Sequence, residues 1–173
     1  MTLPRSTILV VEDEPEIRRF LRSALGAEGY KVVESSTARR GTIDATTHKP
    51  DLVIMDLRMA PIDGFTLLAR VRAEGIATPV AVLTMSDVKD DLARAFRAGV
   101  RGYLLKDMDP DDVIDAIRRI ARGEIVVAPL MAAKLVDLLV PSKEGKTRDD
   151  YLRQLTERER EILQHLSRGK SNK

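Results

Sequence analysis

Two hydrophobic rhythms alternate along residues 7 to 122. Short apolar runs, Thr7-Ile-Leu-Val-Val11, Lys31-Val-Val-Glu-Ser35, Asp51-Leu-Val-Ile-Met55, Pro79-Val-Ala-Val-Leu83 and Gly102-Tyr-Leu-Leu105, read as five strands. The stretches between them carry apolar residues at helical spacing. From Pro15 to Glu28, Ile17, Phe20, Leu21, Ala24 and Leu25 share one face, Pro15 suits a first turn and Gly29 a stop. The same reading predicts helices near 37–47, 65–74, 87–98 and 110–121, with Gly99 and Gly123 closing the last two. Strands joined by helices predict an α/β domain whose parallel sheet is covered on both faces.

Beyond Gly123 the rhythm changes. Ile125-Val-Val-Ala-Pro129 leads into a helix over 130–140, with Leu130, Met131, Leu135, Leu138 and Leu139 on one face. Residues 141–150 hold few apolar side chains and read as an exposed connector, where Lys143, Lys146 and Arg148 are solvated charges. Thr156-Glu-Arg-Glu159 then fits a capping box, in which the Thr hydroxyl and the Glu carboxylate satisfy each other's main-chain N–H groups. Leu155 is placed to pack on Arg160 or Ile162. Ile162, Leu163 and Leu166 form the stripe of the helix that follows, Gly169 breaks it and Ser171 is placed to cap another.

Composition narrows the classes. At 173 residues the chain has room for one full domain and part of a second. With 43% apolar and 32% charged residues it is an ordinary globular protein, and with 3% aromatics and no Trp it is poorly suited to base stacking. It has no Cys, no secretory leader and no run approaching the ~20 apolar residues of a membrane span, so a cytoplasmic location and no membrane partner are expected. Residues 1–122 carry 19 acidic and 19 basic side chains and residues 123–173 carry 8 and 10, too small an excess to argue nucleic-acid binding from charge.

The chemistry lies at the strand ends. Four runs finish on polar residues, Glu12-Asp13, Asp56, Thr84 and Lys106, and an open α/β sheet places its ligands beyond the carboxyl ends of its strands. Carboxylates ~4 Å apart repel by roughly 4 kcal/mol at an effective dielectric near 20, so this cluster should hold a proton or a cation. An all-oxygen donor set favours Mg²⁺. Beside such a cation Asp56 can act as a nucleophile toward phosphorus and form an acyl phosphate. Lys106 offers a point charge to one phosphoryl oxygen and Thr84 a hydroxyl to another.

Through Ile8-Leu-Val-Val-Glu12-Asp13-Glu14, Asp56-Leu-Arg-Met59, Leu83-Thr84 and Gly102-Tyr103-Leu-Leu-Lys106, residues 7–122 resemble the response-regulator receiver domain. The resemblance implies a flavodoxin-like five-stranded parallel sheet of order 2-1-3-4-5, with Asp56 phosphorylated by a histidine kinase. It implies Mg²⁺ held by Asp13 and Asp56, with Glu12 assisting and the Arg58 carbonyl as a further ligand. It also implies a relay in which the Thr84 hydroxyl moves toward the phosphoryl group and Tyr103 turns into the vacated space. Arg58 and Ser86, two residues beyond Asp56 and Thr84, would flank attacking water. The family usually reads Met-Pro-Gly after the phosphoacceptor; this chain reads Met59-Ala60-Pro61, so the loop beside the Arg58 carbonyl is expected to differ in shape.

Leu155-Thr-Glu-Arg-Glu-Arg-Glu-Ile-Leu163 and Gly169-Lys-Ser-Asn-Lys173 resemble the opening of a LuxR-type helix-turn-helix, and with the receiver the whole is similar to the NarL/FixJ class of transcriptional regulators. The expected organisation is a receiver over 1–122, a linker with one helix over 123–150 and the start of the helix-turn-helix domain over 151–173. The helix that would enter the major groove lies beyond Lys173, so promoter DNA is expected as a partner of the full-length protein and not specifically of this chain. A homodimer is a further expectation. The alternatives are a receiver that signals by protein contact alone, and an Asp-nucleophile phosphatase of the haloacid dehalogenase type. The second needs an acid two residues past the nucleophile, where this chain has Arg58.

Overall fold

The computed structural model describes residues 6–139 and 156–169. Its sheet contains β1 (Thr7–Val11), β2 (Lys31–Ser35), β3 (Leu52–Met55), β4 (Val80–Thr84), β5 (Gly102–Leu105) and β6 (Val126–Val127). All pairs are parallel and the order is β2-β1-β3-β4-β5-β6. The expected order 2-1-3-4-5 holds, with one correction: the Ile125-Val-Val run is not merely a lead-in to a helix. Its two valines extend the β5 edge, Val126 opposite Gly102 and Val127 opposite Tyr103.

Helices α1 (Pro15–Ala27) and α5 (Pro110–Ala121) cover one face; α2 (Ala38–His48), α3 (Gly64–Ala73) and α4 (Lys89–Arg97) cover the other. The period-two pattern of the strands decides which side chains go where. Ile8, Val10, Leu52, Ile54, Leu83 and Leu104 meet Leu21, Leu25, Val113 and Ile117. Leu9, Val11, Val53, Met55, Val82 and Leu105 meet Leu67, Val71, Leu92 and Phe96. Because both faces are covered, the central strands are apolar at nearly every position, which is why they read as continuous runs. Helix α1 ends as expected at Gly29, whose φ of +92° suits a residue without a Cβ.

Gly64 is needed for a different reason. A Cβ there would lie 2.2 Å from the Asp56 carbonyl oxygen and 2.8 Å from Leu57 Cα. The first turn of α3 therefore rests directly on the main chain leaving β3. Gly64→Ala is expected to push these segments apart and destabilise the domain by ~1–3 kcal/mol. An unchanged urea midpoint for that variant would contradict the close approach.

The C-terminal helices lie on α4. Helix α6 (Pro129–Leu139) buries Met131 and Leu135 against the α4 side of the sheet, and its Lys134 Nζ donates to the Asp87 carbonyl at 2.6 Å and carboxylate at 2.8 Å. Leu130, expected on the buried face, is instead half exposed, since it precedes the buried Met131 by one residue and so lies about 100° round the helix from it. The side chains of Leu138 and Leu139 lie outside the described residues. Helix α7 (Glu157–Gly169) starts with the expected capping box: the Thr156 N–H donates to Glu159 Oε2 at 2.9 Å, and the Glu159 N–H to Thr156 Oγ1 at 3.3 Å. Ile162 is buried in the core cluster on the α4 side, Arg158 donates to the Val100 carbonyl at 2.9 Å, and Arg101 pairs with Glu161 at 3.2 Å. The 141–150 connector, the packing of Leu155 and the cap at Ser171 lie outside the described residues, as do the side chains of Leu163 and Leu166.

Candidate functional site

Register brings the predicted residues together. Val11 pairs with Met55, so Glu12 and Asp56 leave neighbouring strands side by side. Thr84 pairs with Leu105, and the Lys106 N–H donates to the Thr84 carbonyl at 3.0 Å. Side chains 92 residues apart in sequence then meet at one ammonium. Lys106 Nζ lies 2.9 Å from Glu12 Oε2, 2.9 Å from Asp56 Oδ2 and 2.6 Å from Glu14 Oε1.

Glu12 and Asp56 are buried, whereas Asp13 and Glu14 are exposed at the rim. Each of these four residues offers one carboxylate oxygen, and those oxygens all lie within 4.8 Å of one another. Three hydrogen bonds that involve the main chain set the pocket's shape. The Arg58 N–H donates to Asp56 Oδ1 at 3.1 Å, and Arg18 closes the β1–α1 loop by donating to the carbonyls of Glu12 at 2.7 Å and Asp13 at 3.0 Å. The loop after β3 contains a cis Ala60–Pro61 peptide bond.

Charge crowding shows in the titration of the pocket. Burial pushes the Glu12 carboxyl up to about 7, against the lowering pull of the Glu14 N–H and Lys106. Burial would lower Lys106, but its hydrogen bonds to Glu14, Glu12 and Asp56 outweigh this and hold it above the usual lysine range. Between the ordinary glutamate value of 4.5 and about 7, the native chain keeps a proton on Glu12 that the unfolded chain has released. Glu12 thus favours folding in full below that ordinary value, and the contribution is lost as pH rises through about 7. The loss is on the order of 3 kcal/mol. Urea unfolding in chelator is expected to show stability falling across this window, and falling less in Glu12→Gln; identical slopes in the two proteins would refute it.

Thr84 and Tyr103 are both inaccessible to solvent. Thr84 Oγ1 accepts the Ser86 N–H at 3.2 Å, and the Tyr103 hydroxyl donates to the Ser86 carbonyl at 2.9 Å. The Tyr103 ring therefore lies within the core on the α4 side of the sheet, with its hydroxyl kept from water. Burial pushes its phenol up to about 12, so it remains a hydrogen-bond donor. Ser86 is the common partner of both residues, and its own hydroxyl donates to Asp91 on α4.

The sequence reading did not include three residues that shape the pocket. Glu14 follows the acidic pair and takes the third bond of Lys106; the run Glu12-Asp13-Glu14 was its available signal. Arg18 and Asp91 have no local signal, since their roles depend on the approach of α1 and α4 to the strand ends. The Arg58 guanidinium turns toward Asp91 and to Ser86 Oγ at 3.4 Å. No carboxylate occupies the position two residues past Asp56, which removes the acid that a dehalogenase-type phosphatase requires.

Comparison with known proteins agrees with this geometry. Residues 8–118 match the response regulator receiver domain. The chain is 34% identical over 168 residues to a nitrate/nitrite response regulator protein homolog of Haemophilus influenzae, covering 96% of this chain and 77% of that protein. It is 33% identical over 170 residues to the nitrate/nitrite response regulator protein NarL of Escherichia coli K12, covering 97% and 78% respectively. A solved structure of a LuxR-family two-component response regulator from Aurantimonas sp. SI85-9A1 is similar with a TM-score of 0.73 at 28% identity, covering 78% of this chain and 98% of that one.

Proposed function

The chain belongs to the response-regulator receiver family, in its NarL/FixJ class of two-component transcriptional regulators, and from that premise we propose that Asp56 is its phosphoacceptor and a histidine kinase the donor. The observation that carries this reading is the bridge from Lys106 Nζ to Asp56 and Glu12, 2.9 Å each, at the aligned ends of three strands. Such a cation is placed to draw a phosphoryl oxygen toward Asp56, while the buried Thr84 hydroxyl, which accepts the neutral Ser86 N–H, can give up that bond on turning to donate its own O–H to another phosphoryl oxygen. Loss of that bond would loosen Ser86 and with it the Tyr103 hydroxyl, so the relay reaches α4 through one residue.

The donor set fits Mg²⁺. Its oxygens are hard, anionic and clustered, and two of the four carboxylates are buried beside a single ammonium. Asp13 and Asp56 would hold the ion, with Glu12 assisting and the Arg58 carbonyl adding a neutral oxygen. When bound, the ion neutralises charge on the phosphoryl oxygens.

The organisation that follows is a receiver over 1–122, a linker over 123–150 and the start of a LuxR-type helix-turn-helix over 151–173. Its full-length form binds promoter DNA in the cytoplasm, with pairing of two copies as a further step. No helix among the described residues is long and apolar enough to cross a membrane. Beyond its own phosphorylation and dephosphorylation it catalyses no reaction.

Incubation with Mg²⁺ and a small phosphodonor tests the reading. Intact mass should show a gain of one phosphoryl group, and a chain that gains none would remove it. A gel shift with the full-length protein on its own promoter region tests the output: no complex, phosphorylated or not, would favour signalling by protein contact.

A further inference from the structure

The acyl phosphate on Asp56 decays when a water oxygen bonds to phosphorus and the bond from phosphorus to the Asp56 carboxyl oxygen breaks. The carboxylate is restored, and both water protons leave with inorganic phosphate. What governs this step is who stands beside the phosphoryl group. Arg58 begins there, because its N–H donates to Asp56 Oδ1. A guanidinium offers five donors in a fork that matches phosphoryl oxygens. Yet its side chain is turned away, onto the Asp91 carboxylate and Ser86 Oγ.

Resting on the proposed acceptor role of Asp56, we propose that Asp91 in the first turn of α4 is a positioning residue for phosphoryl hydrolysis: it holds the Arg58 guanidinium off the phosphoryl pocket, leaving the approach of water open. Asp91 is well placed as an anchor. Its side chain is 14% exposed against 60% for Arg58, and its carboxylate takes both the guanidinium and the Ser86 hydroxyl. The first turn of a helix also favours a negative charge. The other carboxylates nearby are engaged elsewhere. Asp63 accepts the Thr66 N–H at 2.8 Å as the cap of α3, and Glu12, Glu14 and Asp56 share Lys106. Without Asp91, the phosphorylated Asp56, carrying about two negative charges, becomes the strongest acceptor within reach of Arg58. The guanidinium then bonds the phosphoryl oxygens and lies across the path of water. The contact also ties α4 to the pocket, so a displacement of that helix would alter phosphoryl lifetime.

The experiment follows decay of the phosphorylated mass after removal of a small phosphodonor, in wild type, Asp91→Ala, Arg58→Ala and the double variant. Asp91→Ala should prolong the lifetime about tenfold, the effect of one charge-assisted hydrogen bond in the ground state. The double variant should decay like Arg58→Ala alone, a dependence that a merely structural role of Asp91 would not produce. Asp91→Asn, which preserves shape, is carried alongside against loss of folding and should move in the same direction. Unchanged or shortened lifetimes in both Asp91 variants, or the same prolongation with Arg58 absent, would overturn the proposal. A wild-type chain that takes up no phosphoryl group would overturn the acceptor reading and this inference with it, whereas a phosphorylated wild type with indifferent Asp91 variants overturns this inference alone.

Discussion

Asp56→Asn is expected to take up no phosphoryl group under conditions in which the wild-type chain gains one. The amide cannot form an acyl phosphate, and none of the neighbouring carboxylates reproduces the surroundings of Asp56. Asp56 has Lys106 Nζ at 2.9 Å on one oxygen and the Arg58 N–H at 3.1 Å on the other, which fixes its orientation at the end of β3. Glu12 is buried and holds its proton up to about pH 7. Glu14 is exposed at the rim, with none of the burial that surrounds Asp56. The substitution removes one of several like charges around Lys106 while keeping side-chain volume, so unfolding in chelator should begin no earlier than in wild type. Absence of modification then reports chemistry and not folding. Equal modification of the two proteins by intact mass would relocate the acceptor.

The site was legible because it obeys two periodic rules. A strand covered on both faces is apolar along its length, so the first polar residue after it marks the strand's end; parallel neighbours in register bring those ends to one level. Glu12, Asp56, Thr84 and Lys106 all follow from that, and the paired ends of β1, β3, β4 and β5 sit where the runs stop. What escaped obeys no local rule. Strand β6 is two residues long and exists because the β5 edge offers main-chain partners to Val126 and Val127. Alone, Ile125-Val-Val-Ala reads equally well as an approach to the helix that follows.

The interactions of α4 are the clearest case of tertiary information. Asp91 in sequence is one of two acids in a first turn, and nothing separates it from Asp90. Only the packing of α4 against the β4 end aims it at Arg58 and Ser86. The same holds for α6 and α7. Their amphipathic stripes were visible, and the box at Thr156 formed as its spacing requires. That Ile162 and Met131 would both be spent on the α4 side of the receiver core was not. One consequence is that the Tyr103 hydroxyl, Ser86, Asp91 and the helices carried by the C-terminal segment adjoin the same helix, so a change at the acidic pocket has a short physical path to them.

Lys106→Ala should produce the largest loss of stability among the pocket variants. Its side chain is 3% exposed and its ammonium is the common partner of Glu12, Glu14 and Asp56, so its removal leaves buried carboxylates facing one another without a counter-charge. Losing one partner of a buried ion pair destabilises by about 3–5 kcal/mol. Two controls separate that electrostatic origin from lost packing of the lysine stem. Lys106→Met keeps most of the stem and should lose nearly as much stability, whereas a packing origin would spare it. Lowering the pH from 8 to 5 should narrow the gap to wild type, because protonation relieves the carboxylates in the variant before it relieves the paired ones. Added Mg²⁺ should narrow the gap at pH 8 for the same reason, stabilising the variant more than the wild type by binding only its folded form. A urea midpoint for Lys106→Ala equal to that of wild type in chelator at pH 8 would mean that the carboxylates do not repel at the strand ends. The pocket would then have no stored demand for a cation, and the argument from charge to phosphoryl chemistry would fail at its first step.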